Sequence, residues 1–170
     1  FHVREEDSLL KDLVTTYEGG GELRRTKILA MASGYDVTVI DTPKMSDGEK
    51  FSHAAALAAD VVVIPLTLSA FASWSNNRTV AMLEGVDAVR ADVGIPELKK
   101  VYVINRVDQR KRLAMKALPL LEEMVSKAGV LGGIIHECTD IEYSGGYGEC
   151  AMTFRPRGRA AGEMAMLWSK

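Results

Sequence analysis

The sequence lacks the features that would place it in several large classes of protein. Its two cysteines, Cys138 and Cys150, are too few for a disulfide framework or a cysteine-based metal motif, so we expect reduced thiols in a cytoplasmic protein. No apolar run approaches the roughly 18 residues of a membrane-spanning helix. Residues 1–7 are polar and acidic, unlike the basic and then apolar start of a secretory signal peptide.

The chain also lacks a charge excess of either sign. Its 170 residues include 21 basic and 23 acidic side chains, for a net charge of −2, so bulk charge does not predict a polyanionic partner. The three histidines, His2, His53 and His136, are far apart and show no metal-ligand spacing, and we assign them no role. A hydrophobic fraction of 47% is enough for one core.

Apolar patterning predicts an alternation of strands and helices. This order favours a single α/β domain over residues 1–170, with a mostly parallel sheet and helices on both faces. The predicted strands are 37–40, 61–64, 101–104 and 130–135, and the predicted helices are 5–17, 22–33, 52–59, 77–93, 113–128 and 159–168. Pro119 is expected to kink or break its helix, and 144–148 is expected to be a glycine-rich loop.

The first predicted strand ends on an acidic residue. In Y-D-V-T-V-I-D-T-P, residues 35–43, the β-branched run stops at Asp41, and Pro43 forces the chain to turn. A carboxylate at the carboxyl end of a parallel strand lies where ligands bind in open α/β sheets. Asp41 therefore suits a magnesium-bound water beside a nucleotide phosphate, or simply caps the next helix. Residues 44–50 are expected to form a loop, and this loop is a candidate switch.

The strand at 101–104 also ends on polar residues, N-R-V-D. The planar amide of Asn105 offers donors and an acceptor that suit the edge of a purine. Its spacing from Asp108 is similar to that of the base-reading N-K-x-D motif of GTPases. By contrast, Gly19-Gly20-Gly21 follows a predicted helix and lacks a following G-K-[ST], so it is interpreted as a turn between helices rather than a phosphate loop.

Four motifs together carry a family resemblance: Y-D-V-T-V-I-D-T-P, A-A-L-A-A-D-V-V-V-I-P-L, V-I-N-R-V-D-Q-R and the terminal R-A-A-G-E-M. In order and spacing, residues 35–168 resemble the ParA/MinD-type ATPases, a deviant Walker branch of the P-loop NTPases, and especially the ParA proteins of plasmid and chromosome partition. The resemblance implies a P-loop NTPase-like fold, ATP or ADP with Mg²⁺ as ligands, and slow ATP hydrolysis in the segregation of DNA.

The same resemblance implies roles for particular residues. Asp41 would take the Walker B position and orient Mg²⁺ through water, while Thr42 and Pro43 would begin switch II. Asn105 and Arg106 would contact the nucleotide, together with an unspecified residue of the loop 137–140. The family also implies an ATP-sandwich homodimer and a ParB-like centromere-binding partner.

Nonspecific DNA binding is a further implication of the family. The candidate residues are basic side chains of the carboxyl half, namely Arg110, Lys111, Arg112, Arg155, Arg157 and Arg159. Each of these basic side chains is at least as often an ordinary solvated surface charge or helix-end charge as a contact to DNA. If they do contact DNA, counterion release makes binding strongly dependent on salt.

The chain departs from the family pattern at the phosphates. The K-G-G-x-G-K-[ST] loop and the D-x-D-x-Q strand are absent from the printed sequence, and we expect them in a stretch upstream of it. The 170 residues alone are therefore not expected to hydrolyse ATP. The alternatives are a non-catalytic ParA-like binding or regulatory module, a MinD-like positioning ATPase and a small-molecule ligase of the same class. A MinD-like protein would end in a basic amphipathic helix, which the segment before Lys170 does not resemble.

Overall fold

The computed structural model describes residues 25–42, 45–68 and 78–168. In these residues three strands alternate with seven helices. The elements in chain order are α1 (Arg25–Ala32), α2 (Met45–Ala58), β1 (Val61–Leu66), α3 (Arg78–Asp92), β2 (Lys99–Val107), α4 (Arg112–Ala128), β3 (Val130–His136), α5 (Thr139–Gly146), α6 (Ala151–Phe154) and α7 (Arg159–Trp168).

The predicted α/β class is confirmed. The three strands form one open parallel sheet in the order β1-β2-β3. The predicted strands 61–64, 101–104 and 130–135 correspond to β1, β2 and β3, and the helices predicted at 77–93, 113–128 and 159–168 correspond to α3, α4 and α7. Continuous apolar runs rich in β-branched residues and bounded by polar residues are typical of parallel strands, and this explains why β1 and β2 were predictable.

The described residues divide into two compact units. Unit 1 contains those of Ile64–Phe71 and Val101–Lys170, and unit 2 contains those of Glu18–Val63 and Ala72–Lys100. The division passes through β1. Each unit has its own buried apolar residues, which include Tyr102, Ile104, Val107, Leu121 and Val125 in unit 1 and Ile28, Ala55, Leu83, Val86 and Leu98 in unit 2.

In unit 1, α4 and α7 both pack on β3. The two glycines of this strand have a packing reason. A Cβ built on Gly133 would lie 2.7 Å from Leu167 Cδ2 of α7, and one built on Gly132 would lie 2.7 Å from Val101 Cγ1. Because carbon atoms do not approach so closely, a side chain at either position would displace its neighbours. Gly133 therefore allows the last helix to lie close to the sheet.

In unit 2, α2 packs against both α1 and α3. The buried side chain of Arg90 joins α3 to the carboxyl end of α2. Arg90 Nη1 donates to the carbonyl oxygens of Ala56, Leu57 and Ala59 at 3.2, 3.2 and 2.8 Å. Its Nε donates to Pro96 O at 2.7 Å. The last carbonyls of a helix have no partners within the helix, so Arg90 satisfies the carboxyl end of α2 and also holds the turn before β2.

A second polar contact fixes the start of β2 to α3. Asp87 of α3 accepts hydrogen bonds from the backbone N–H of Leu98 and from the ammonium of Lys100. Burial raises the pKa of Asp87, but these hydrogen bonds outweigh it, and the pKa lies below its ordinary value. The carboxylate therefore stays ionised and holds the strand against the helix.

Three local predictions are wrong. Residues 37–42 form neither helix nor strand, and Val37 and Val39 are 76% and 82% exposed. A β-branched run becomes a strand only where another strand pairs with its backbone, and the described residues provide no such pairing here. The predicted loop 44–50 is largely helix, because α2 begins at Met45. The predicted glycine-rich loop 144–148 is in part the end of α5. Apart from these three predictions, α4 continues through Pro119, so the helix is not broken there.

Some expectations fall on residues outside the described ranges. These are the helix at 5–17, the turn at 19–21 and the role of Pro43. Among the helices that the structure does describe, none combines the length and the apolar character needed to cross a membrane.

We predict that Arg90→Met strongly destabilises the protein. The substitution keeps much of the apolar stem but removes a donor from four carbonyl oxygens, of which Leu57 O keeps its hydrogen bond from Arg25, so the free energy of unfolding should fall by about 3 kcal/mol. Urea denaturation measures this change. Arg112→Met, at an exposed position, is the matched control and should change stability by less than about 0.5 kcal/mol. Equal effects of the two substitutions would contradict the structural role of Arg90.

Candidate functional site

The carboxyl ends of β2 and β3 bring polar residues to one edge of the sheet in unit 1. The strands are parallel, and their last paired residues are Val107 and His136. Beyond that pair, the N–H of Glu137 donates to Val107 O at 3.1 Å. We call the residues gathered here the polar edge, and they are Asn105, Arg106, Asp108, His136 and Glu137. In parallel sheets this edge is the usual place for ligands.

The backbone at Arg106 is strained. Its φ is 58°, the one positive value at a described residue other than glycine. The pairing of β2 with β3 also shifts register between Ile104 and Val107. A left-handed conformation of a residue with a side chain costs about 1–2 kcal/mol and persists where the surroundings enforce it. Strain of this kind is concentrated at functional sites, so it marks Arg106 and its neighbours as a candidate site.

The strained corner fixes the side chain of Asn105. The N–H of Arg106 donates to Asn105 Oδ1 at 2.9 Å, which identifies the oxygen and the nitrogen of the amide. Arg106 Nη2 lies 3.8 Å from Glu137 Oε1 across the edge. Asn105 is half-buried and Arg106 is 66% exposed in its side chain. The Asn105 amide is therefore held in one orientation while the guanidinium beside it stays open to solvent.

Beside this corner, His136 lies in a network of four side chains that sequence reasoning missed. Glu163 of α7 accepts from the His136 backbone N–H at 2.9 Å, and its Oε1 lies 2.7 Å from His136 Nδ1. Arg159 Nε donates to the same carboxylate at 2.7 Å, and Arg159 Nη1 donates to Gln109 Oε1 at 3.2 Å. The Gln109 Nε2 lies 2.9 Å from His136 Nε2.

The roles of the donors in this network follow from its geometry. Because Arg159 donates to Gln109 Oε1, the amide nitrogen of Gln109 must be the group that faces His136 Nε2. That ring nitrogen then accepts, and the proton lies on Nδ1, where it is donated to Glu163. Both ring nitrogens are occupied, so His136 does not activate the nearby Cys138. The network instead locks α7 to the carboxyl end of β3.

Glu163 is the charged centre of the network. Burial raises the pKa of Glu163, but hydrogen bonds from the His136 backbone, from Arg159 and from the His136 ring lower it by more. The pKa therefore lies below its ordinary value. A carboxylate that accepts several donors is stabilised in its ionised form.

Asp108 gathers two of the predicted DNA-binding residues. Its Oδ1 accepts from Arg110 N at 3.1 Å and from Arg110 Nε at 2.9 Å, and its Oδ2 lies 3.8 Å from Lys111 Nζ. The hydrogen bonds from Arg110 lower the pKa of Asp108. Lys111 is also the residue preceding α4, which Arg112 begins. The acid offsets part of the charge of this basic cluster.

The predicted DNA-binding residues differ in what they contact. All six are exposed and belong to unit 1. Arg155 donates to Asp140 Oδ1 at 3.0 Å, and Arg159 is bound by Glu163. Within the described residues, Arg112 and Arg157 form no ion pair. These two carry the charge that is most available to an anionic partner.

The loop 137–140, predicted to contact the nucleotide, follows β3 and leads into α5. Glu137 contacts Arg106, Cys138 precedes α5, and Asp140 in the first turn of α5 accepts from Arg155. Within this loop, Glu137 is the residue that contacts the Asn105–Arg106 corner. Which of these residues touches a ligand stays a prediction.

Asp41, the residue predicted to orient Mg²⁺ through water, belongs to unit 2, as does Thr42 of the predicted switch II. Asp41 and Thr42 are exposed and follow the segment 37–40, which is not a strand. Pro43 lies outside the described residues. Nor do the described residues contain any group of three or more His, Cys, Asp or Glu that could hold a metal ion. Asp41 alone offers one carboxylate on an irregular segment, which does not by itself fit a preformed Mg²⁺ site.

Comparisons with known proteins add no family to this geometry, since no protein-family model and no curated protein matches the chain. The residues themselves carry the functional reasoning. Asn105 and Arg106 were found from the sequence because they end an apolar strand. His136 was not, because its partners Gln109, Arg159 and Glu163 are up to 27 residues away from it in the chain and show no motif.

We predict that Glu163→Gln destabilises the protein in a pH-dependent way. The pKa of Glu163 is lowered in the folded state, so its stabilisation is fully present above the unfolded-state pKa and is lost as pH falls through the folded-state pKa. Wild type and variant should differ by about 2 kcal/mol near pH 7, and the difference should shrink below about pH 4.

Urea denaturation from pH 3 to pH 7 tests this dependence. The control is Glu123→Gln, which removes a carboxylate from an exposed pair with Lys127 and should leave stability nearly unchanged at every pH. A pH-independent difference between wild type and Glu163→Gln would show that the carboxylate charge is not what stabilises the network.

Proposed function

We propose that the chain is the carboxyl part of a ParA-like ATPase and that it binds an adenine nucleotide at the polar edge, in the partitioning of DNA. The observation that carries the proposal is the strained Asn105–Arg106 corner at the carboxyl end of β2. The strain costs free energy, and strained residues are concentrated at sites that bind ligands. Here the strain holds an amide in place beside an open guanidinium. The family resemblance of the four motifs supplies the identity of that ligand.

The chemistry of the corner suits adenine. A carboxamide pairs with adenine through one donor and one acceptor, because adenine offers the N6 amino group beside a ring nitrogen. Asn105 Oδ1 receives one hydrogen bond from Arg106 N and has a second lone pair available. Guanine presents two acceptors, O6 and N7, on its corresponding edge. The amide of Asn105 therefore suits adenine, the base that the family resemblance implies.

The printed residues alone do not provide the phosphate and metal binding that the proposal includes. The printed sequence does not contain the phosphate loop of that family. Asp41 would contribute to Mg²⁺ binding only when its segment is held as a strand end, because a Walker B carboxylate must be fixed in position to act. Homodimerisation and a ParB-like partner follow from the same resemblance and form part of the proposal.

The position of Asp41 also supports a second candidate function. Its segment is exposed and irregular, as expected for a ParA-like module that binds nucleotide or a partner without hydrolysing ATP. The two candidates share the polar edge and differ in catalysis. Asp41→Ala would abolish ATP turnover of the full-length protein under the first and leave its nucleotide binding unchanged under the second.

We predict that ADP binds more tightly than GDP and that Asn105 sets the difference. Both ligands carry the same phosphates, so phosphate contacts cancel in the comparison. Asn105→Asp keeps the acceptor for Arg106 N but removes the amide donor, and the preference for ADP should fall by about tenfold. Calorimetric titration of both nucleotides measures this ratio.

Lys116→Gln, on the exposed surface of α4, is the control and should leave the ratio unchanged. Equal affinities of the wild-type protein for ADP and GDP would contradict base recognition. An undiminished preference in Asn105→Asp would remove Asn105 from the proposed site.

We also predict salt-dependent binding of mixed-sequence duplex DNA through Arg112 and Arg157. Each cation that contacts a phosphate releases counterions, so the double substitution Arg112→Gln and Arg157→Gln should reduce the slope of log K against log salt by about 2. Fluorescence anisotropy at several salt concentrations, with ADP present, measures the slope. Lys50→Gln with Lys99→Gln changes the net charge equally in unit 2, and an equal loss of slope in this pair would overturn the assignment.

A further inference from the structure

Unit 2 contains a cavity that the proposed function does not use. Its volume is about 380 Å³, which is within the range of small-molecule sites. The residues that define its chemistry are Arg25, Asp60, Arg90 and Glu97. They come from the start of α1, the turn between α2 and β1, the last turn of α3 and the turn before β2. Four charged groups in one cavity indicate a polar ligand rather than an apolar one.

Arg90 is the deepest of these residues, with 3% of its surface exposed. Its Nε and Nη1 donate to the four carbonyl oxygens at the end of α2 and at Pro96. Its Nη2 makes no hydrogen bond within the described residues, and no carboxylate there lies within ion-pair distance of it, although the charge of Asp87 on the same helix interacts with it. A guanidinium is always charged and carries five donors, so part of its capacity is unused in the lining of the cavity.

Arg25 brings a second guanidinium to the same place. Arg25 Nε donates to Leu57 O at 3.1 Å, and Arg90 Nη1 donates to the same oxygen at 3.2 Å. The two cations therefore converge on one carbonyl group. In the part of the chain that the structure describes, Arg25 forms no ion pair, and its two terminal nitrogens make no hydrogen bond. Two like charges held this close repel each other unless a negative group neutralises them.

The acids of the cavity do not supply that negative group. Glu97 is 78% exposed in its side chain and lies 3.5 Å from Lys100. Asp60 is exposed, and the interaction that fixes its position is made by its backbone oxygen, which accepts from Lys99 N at 3.3 Å. The carbonyl groups at the end of α2 offset part of the positive charge through the helix dipole, but they carry only partial charges. The cavity thus has a cationic interior and acidic groups towards solvent.

We propose that this cavity binds a small molecule through an oxyanion, a phosphate or a carboxylate group, which Arg25 and Arg90 hold together. Two guanidinium groups with donors that no described residue uses match the several acceptor oxygens of such an anion. The exposed acids set a second requirement, since they favour a ligand with a hydrogen-bond donor or a positive charge at its other end. The site belongs to unit 2 and is separate from the polar edge of unit 1.

The test is a titration with inorganic phosphate and, in a second arm, with acetate. Both are added at constant ionic strength and followed by NMR, including the Nε–H signals of Arg25 and Arg90. Saturable shifts confined to residues around the cavity are expected, and the arm with the tighter binding assigns the anion class. Shifts that do not saturate, or that spread over the surface in both arms, would overturn the proposal.

Three variants assign the binding to the two guanidinium groups. Arg25→Gln should weaken binding of the tighter anion by about tenfold, because it removes one charge-assisted contact. Lys50→Gln removes one positive charge from an exposed site in the same unit and should leave affinity unchanged. Asp60→Asn removes a repelling carboxylate without removing a hydrogen bond of the fold, and it should tighten binding several-fold. Equal affinities in wild type, Arg25→Gln and Asp60→Asn would refute the site.

Discussion

The burial of one guanidinium group organises unit 2. Arg90 lies in the last turn of α3, yet its hydrogen bonds go to the end of α2 and to the turn before β2. A buried charge needs hydrogen-bond partners, and the Nε and Nη1 atoms of Arg90 have four carbonyl acceptors, so the three segments must keep fixed relative positions around it. The ionised Asp87 holds Leu98 and Lys100 and fixes the beginning of β2 in the same way. Polar groups, and not only apolar packing, thus determine where this strand begins.

A different constraint acts at the other end of β2. Parallel pairing makes β2 and β3 end together, so the polar residues that follow each strand share one edge. The left-handed residue Arg106 and the register shift beside it turn the amide of Asn105 into a fixed group. The network around His136 then holds α7 against the same edge. The edge is consequently rigid on the side of β3 and chemically open at Arg106, which is the combination expected where a ligand is read by its shape and its hydrogen bonds.

The sequence was sufficient for elements that stand out as apolar segments between polar or turn residues. The helix at 159–168 and the strand at 130–135 were predicted nearly to the residue. The site was predictable as far as Asn105 and Arg106, which interrupt an apolar run. The network of His136 and Glu163 and the contact of Arg90 with α2 were not, because they join residues distant in sequence whose types also occur on ordinary surfaces. The strand predicted at 37–40 is wrong because strand propensity is expressed only where a pairing partner is present.

The exposed apolar run after α1 has a consequence for the behaviour of the chain in concentrated solution. Val37 and Val39 present β-branched side chains to water, and Val61 and Val63 do so on β1, which ends the described sheet. Short uncharged segments of high β propensity that lie open to solvent pair readily with copies of themselves and begin aggregation. Asp36 and Asp41 bracket the first run and act as charged gatekeepers against such pairing. Replacing these two carboxylates by amides would remove that protection and favour self-association of the chain.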